Sequence, residues 1–304
     1  ETDPEEIKKE EVFFMHAFLG AVGFSELKNK RDLDVILQDV LENYDIKKVV
    51  EDEKHHSFVE ISREYGYDCG ITVCGEYDED GEFQMEYYHP YFNGGQITTY
   101  EAVSVERHAA RESFAGGCDD LRLGITLIFY LINAADYLNS RKEPGELKKQ
   151  PPLRLSGLAR DGMILLPVRK DPEKVAKEKD SWQQKSSLLA AARDGDEDAI
   201  ESLTMEDIDT YAMISRRIVH EDVLSIVDNY FMPYGLECDQ YSILGEITDV
   251  SRTVNSFTGE KLWQMNILCN DVPLDVCINE KDLLGEPEVG RRFKGQIWLQ
   301  GTMN

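Results

Sequence analysis

The sequence is poor in positive charge. Its 304 residues carry 33 lysines and arginines against 59 aspartates and glutamates, a formal net charge of −26. A surface that negative repels phosphate backbones and anionic lipid, so generic nucleic-acid or membrane-surface binding is disfavoured. Metal and redox motifs are missing as well. The six cysteines, at 69, 74, 118, 238, 269 and 277, form no CxxC pair. No HExxH or other zinc spacing joins His16, His55, His56, His89, His108 and His220. Scattered cysteines of this kind read as small buried hydrophobes of a reducing compartment. There is no Walker lysine, dinucleotide fingerprint, nucleophile elbow or kinase set, so no cofactor, metal ligand or catalytic residue is assigned. Long apolar runs are also lacking. The longest, at 124–138, is interrupted by Asn133 and Asp136 and is too short to cross a bilayer. With no secretory pattern at the start, the expected compartment is the cytoplasm.

What is present is strand pattern, clearest over 241–304. Trp263, Met265, Ile267 and Cys269 alternate with polar neighbours, as do Val272, Leu274, Val276 and Ile278. Period two with one apolar face means strands half-buried on a core. Asn270-Asp271 has the chemistry of a two-residue hairpin turn, and 255–259 supplies a longer one. Gly245 and Gly295 sit inside strands, where glycine marks bends or bulges. Four short bent strands in succession predict a small β-barrel of the oligonucleotide/oligosaccharide-binding type.

The rest of the chain reads as an α+β arrangement, an antiparallel sheet with packed helices. Residues 1–14 read as a disordered acidic arm or a cloning remnant before Met15. A short helix over 15–23 ends at Gly23. A second helix carries the stripe Leu33, Ile36, Leu37, Val40, Leu41 and Tyr44. Strands follow at 58–65, 70–77, 82–88 and 99–108, with a hairpin turn at Asp80-Gly81. Asp119-Asp120 reads as an N-cap opening a helix over 121–138. Residues 153–168 read as a hairpin turning at Asp161-Gly162. An acidic helical segment covers 171–236, including a helix through Val223, Ile226, Val227 and Tyr230. The expected units are 15–170, 171–236 and 237–304, two or three being normal for this length.

Two clusters are candidate sites. In EYYHPYFNGG, the residues Glu86, Tyr87, His89, Tyr91 and Phe92 stand at a strand end, where they can line a ligand pocket. There His89 beside Glu86 can serve as acid or base; the competing reading is tyrosines packed on the core. In GEPEVGRRFKG, three cations, Arg291, Arg292 and Lys294, precede Trp298 within an acidic protein. If Lys294 and Trp298 share a face, they form a cation beside a stacking surface for an anion or a single strand. The competing reading is that these cations dock the acidic helical segment. The Asp78–Gly81 run lacks the remaining ligands of a calcium loop. The glycine loop at 114–121 carries Asp119 and Asp120 where a phosphate would sit.

The strings MHAFLGAVGFSEL, GDEDAIESLTMEDIDTY, EDVLSIVDNYFMPYGLECDQYSILGEI and CNDVPLDVCINEKDLLGEPEVGRRFKGQIWLQG resemble an uncharacterised bacterial domain-of-unknown-function family of Clostridia-type Gram-positive organisms. The resemblance spans nearly all of 15–304. It implies a bacterial cytoplasmic protein and transfers no catalytic residue. The expected function is a non-enzymatic interaction or regulatory module with a protein partner. The alternatives are a hydrolase or transferase using His89, and a single-strand-binding barrel using Arg291, Arg292, Lys294 and Trp298.

Overall fold

A computed structural model describes residues 15–51, 57–107, 113–120, 122–142, 151–167 and 227–303, together with 196, 198, 201, 202, 205 and 224. The acidic arm at 1–14 and most of the segment at 171–226 lie outside them; residues 198, 201, 202, 205 and 224 are helical.

The chain enters through a single 3-10 turn, Leu19–Val22, in place of the short helix expected there. Gly23 closes it at φ 91°, the left-handed conformation that glycine adopts without a Cβ clash. Helix α1 (Lys30–Glu42) follows, its first turn capped by the Asn29 side chain, which accepts from the Asp32 N–H at 3.1 Å. Its buried stripe is Leu33, Ile36, Leu37 and Val40. Four antiparallel strands then form one sheet in chain order: β1 (Ile46–Glu51), β2 (Ser57–Gly66), β3 (Cys69–Tyr77) and β4 (Phe83–Phe92). Alternation divides their side chains between two faces. Val59, Ile61, Ile71 and Val73 share a core with α1 and the 3-10 turn, whereas Phe58, Cys74 and Tyr87 join the core on the other side.

The second sheet contains β5 (Val103–Arg107), β6 (Phe114–Asp120), β7 (Ile125–Leu131), β8 (Leu153–Leu165), β9 (Tyr230–Pro233), β10 (Gln240–Val254), β11 (Lys261–Cys269), β12 (Val272–Asn279), β13 (Leu283–Leu284) and β14 (Arg292–Met303). Its middle closes on itself. Strands β8-β12-β11-β10-β14 lie side by side, and β14 pairs back onto β8, giving a closed five-stranded barrel. The expected turn between β11 and β12 is present, with φ 49° at Asn270 and 59° at Asp271. Phe293, Ile297 and Leu299 from β14 fill the interior with Ile243, Met265, Ile267, Val276 and Leu155.

Four expectations are corrected. First, the final residues do not close the barrel alone, because its fifth stave is β8, from the segment assigned to the amino-terminal unit. Second, 153–168 is no hairpin: β8 runs straight through Asp161-Gly162, which pair with Gln296 and Gly295. Gly162 serves packing, since a Cβ there would lie 2.5 Å from the Phe293 ring. Third, the helix over 121–138 is replaced by the β6–β7 hairpin, and helix α2 (Ala134–Lys142) starts only afterwards. Both faces of β7 carry apolar side chains, which hides its period of two, and its Ile–Thr–Leu–Ile–Phe run suits a buried strand. Fourth, Tyr230 belongs to β9, paired antiparallel to β10, and the strand expected at 99–108 shortens to β5, with Thr99 making one isolated bridge to Leu153. His108 is outside the described residues.

The two sheets meet along a seam. Leu155 and Ala159 of β8 point into the barrel, so the alternate residues Arg154, Ser156, Leu158 and Arg160 point out. On β14, Lys294, Trp298, Gln300 and Thr302 likewise face outward. Ser156 Oγ donates to the Phe92 carbonyl at 2.6 Å, and Gln300 accepts from the Phe92 N–H at 3.0 Å and donates to the Pro90 carbonyl at 2.9 Å. These bonds fix β4 against the barrel wall. No helix among the described residues is long and apolar enough to cross a membrane.

A polar cleft at the seam between sheet and barrel

Where the seam opens, side chains from both walls line a cleft of about 330 Å³. The sheet contributes Lys48, Glu60, Ser62, Asp68, Thr72 and Tyr91. The barrel contributes Arg154 and Thr302, and the β7–α2 junction Ile132, Asn133 and Asp136.

Most of these groups are held by the protein itself. Lys48 Nζ lies 2.7 Å from Asp136 Oδ2, a half-exposed pair across the rim. Ser62 and Thr72 share a hydroxyl–hydroxyl bond of 2.8 Å. Asn133 donates to the Met303 carbonyl at 2.9 Å and accepts from the Met303 N–H at 3.3 Å, which anchors the start of α2 to the barrel. Glu60 is buried, and its two oxygens accept from the Ala134 and Ala135 N–H groups, each at 3.1 Å. A carboxylate on the free N–H groups of a helix start is favourable. Burial nevertheless dominates and pushes the Glu60 carboxyl up to about 7, with Ala135 N–H and Lys48 opposing it and Asp136 adding to it.

Arg154 differs from all of these. Among the described residues, its Nε is the one buried side-chain nitrogen or oxygen with no hydrogen-bond partner. Buried polar groups are almost always satisfied, so such an exception calls for a reason. Arg292, one end of β14 away, shows the contrast. Its guanidinium donates to the carbonyls of Leu166, Leu224, Val227 and Asp228 at 3.0–3.4 Å.

Of the aromatic candidates only Tyr91 lines the cleft, and burial raises its phenol above the ordinary range. Glu86 is exposed. Tyr87 is buried against the barrel, and Phe92 belongs to the core on the opposite face. His89 is buried with its ring centroid 4.9 Å from that of Tyr130, and burial lowers it to about 4, which keeps it neutral near pH 7. Glu86 and His89 therefore do not meet in a pocket. Lys294 and Trp298 do share the outer face of β14, but Trp298 is covered. Its ring lies 4.6 Å from His16, 5.1 Å from Tyr130 and 5.7 Å from Phe18, and its Nε1 donates to Asp239 at 2.7 Å. Arg291 turns to Glu288, at 2.7 Å, and to the Glu286 carbonyl. No group of three His, Cys, Asp or Glu side chains converges to hold a metal among the described residues.

Sequence reasoning missed Lys48, Glu60, Asp68, Asn133, Asp136, Arg154 and Thr302. Two local signals were available: Glu60 alternates with Phe58 and Ser62 on an inward face, and Arg154 stands between two core leucines in LRLSGL.

Fold and cleft together define a β-barrel protein with a docked antiparallel sheet and a polar, two-walled cleft at their junction. The chain belongs to the family described as "Domain of unknown function, E. rectale Gene description (DUF3881)", whose model matches residues 19–301. This agrees with the resemblance drawn from the sequence strings. No curated protein and no solved structure matches the chain.

Proposed function

We propose that this protein is a non-enzymatic regulatory module of the bacterial cytoplasm whose seam cleft takes a small ligand bearing a carboxylate or phosphate. The observation that carries this reading is the unpartnered Arg154. A guanidinium offers five donors in a planar fork suited to such groups. In a chain of net charge −26, an arginine left free inside a concave wall is most simply explained as a ligand anchor. Because Arg154 belongs to the barrel wall and Tyr91 to the sheet wall, a ligand touching both would tighten the seam. That gives a route from binding to altered association with a protein partner.

The barrel itself we read as the oligonucleotide/oligosaccharide-binding type with its last strand moved to the front. The meander β10–β11–β12, then β14, with β8 parallel to β12, supports that reading. A single-strand role is not favoured, because Trp298 is covered by His16, Phe18 and Tyr130. Catalysis through His89 is not favoured, because that ring is enclosed.

The test is a thermal-shift screen of small carboxylates, phosphate esters and amino acids with the wild type and Arg154→Gln. At least one compound raises the wild-type melting temperature, with about 2.7 kcal/mol expected at a hundredfold excess over Kd. The shift disappears in the variant. If no compound acts, or if the variant responds equally, the reading fails. A pull-down from the native host with and without the active compound then tests the protein partner.

A further inference from the structure

The charges lining the cleft narrow its ligand further. We infer that the ligand is a small zwitterion of the free α-amino acid class, an inference that rests on the anion-binding reading above. Among the described residues, five acidic or basic side chains line the cleft, and three are already committed. Lys48 and Asp136 neutralise each other at 2.7 Å, and Glu60 faces the N–H groups of Ala134 and Ala135. Two remain, and they have opposite signs. Arg154 projects from the barrel wall and Asp68 from the β2–β3 turn of the sheet wall. Among the described residues, the Asp68 carboxylate has no hydrogen-bond or ion-pair partner.

The turn that carries Asp68 is well placed. Its φ is 51°, and its carbonyl accepts from the Asn93 N–H at 2.8 Å, which ties it to the end of β4 just beyond Tyr91. Asp68 and Tyr91 both line the cleft from the sheet wall, and burial, followed by the charges of Glu64, Asp45 and Asp68, raises the Tyr91 phenol. A simple carboxylate would satisfy Arg154 but bring like charge towards Asp68. An amine would satisfy Asp68 and meet Arg154. A molecule carrying both groups answers both walls, with its carboxylate on Arg154 and its ammonium on Asp68 and Tyr91. Ile132 and Ile46 supply an apolar surface for a side chain. A volume of about 330 Å³ is at the small end for ligand sites.

Calorimetry with matched pairs tests this. Leucine, serine and glutamate are compared with 4-methylpentanoate, 3-hydroxypropanoate and glutarate, the same molecules without the ammonium group. At least one amino acid binds about tenfold or more tightly than its deamino partner, the scale of one charge-assisted hydrogen-bonded contact. Asp68→Asn closes that gap without weakening the deamino acid, and Arg154→Gln weakens both. Asparagine tolerates the left-handed backbone at 68, so the variant keeps its turn. Equal affinity within every pair overturns the zwitterion and leaves a plain anion site standing. Absence of binding by all six overturns the zwitterion, and the anion reading then stands or falls with the phosphate esters of the thermal-shift screen.

Discussion

The two ends of the seam are built from the same strands and differ in everything else. At one end the outward residues of β8 and β14, Leu158 and Trp298, meet Phe18, His16 and Tyr130 in a dry aromatic cluster. At the other end the outward residues are Arg154 and Thr302, and the facing wall is polar. Between them Gln300 and Ser156 fasten β4. The difference shows how period-two alternation lets one pair of staves supply a packed lock at one end and an open polar cleft at the other. The aromatic end packs apolar rings together, whereas the cleft end keeps Arg154 without a hydrogen-bond partner.

Four measurements sharpen that contrast, beginning with the largest effect. Trp298→Ala removes the centre of the aromatic end and costs about 3–5 kcal/mol in chemical denaturation. Acidification comes next. Burial lowers His16 to about 3 and His89 to about 4, so below pH 6.5 the unfolded chain binds protons that these rings in the fold refuse. Each lowers stability by about 1.4 kcal/mol per pH unit down to its folded value. Glu60 acts in the opposite sense. Its folded value of about 7 exceeds the unfolded one, so its contribution to stability falls as pH rises from the ordinary carboxylate range to about 7. Of these three groups the two histidines outweigh Glu60, so stability falls as pH drops from 6.5 to 4.5, and Glu60→Gln steepens the fall. Gln300→Ala leaves the Phe92 N–H and Pro90 carbonyl of β4 unsatisfied and costs about 1–3 kcal/mol. Arg154→Gln is the smallest: among the described residues it breaks no hydrogen bond or ion pair, so stability stays within about 0.5 kcal/mol while ligand response is lost. A large loss at Arg154, or none at Trp298, would break the division between packed lock and polar cleft.

Strands with one apolar and one polar face were legible in the sequence. The β11–β12 hairpin shows its alternation and its Asn270-Asp271 turn openly. The α1 stripe is equally plain, because Leu33, Ile36, Leu37 and Val40 repeat at helical spacing. Strand β7 was not legible, since Ile128 and Tyr130 on its second face are as apolar as Leu127 and Phe129 on its first. Gly162 misled for a related reason: glycine marks a turn or a tight approach of a ring, and only the Phe293 contact decides which. Beyond Glu60 on an inward face and Arg154 between two core leucines, the cleft had no local signature. Lys48, Glu60, Tyr91, Asp136, Arg154 and Thr302 come from six separate elements, and topology alone brings them together. Tyr91 was found for being aromatic at a strand end, which is also why Tyr87 and Phe92 were singled out beside it.

The borrowed stave has a consequence for the order of events during synthesis. Strand β8 leaves the ribosome long before β12 and β14, its neighbours on either side, so it waits without its barrel partners while the acidic stretch is made. Neither the barrel nor Arg154's wall exists until the last strand arrives, and nascent chains halted before Arg292 should remain open to protease at Leu153–Leu165. The cleft thus takes shape only once β14 has joined β8.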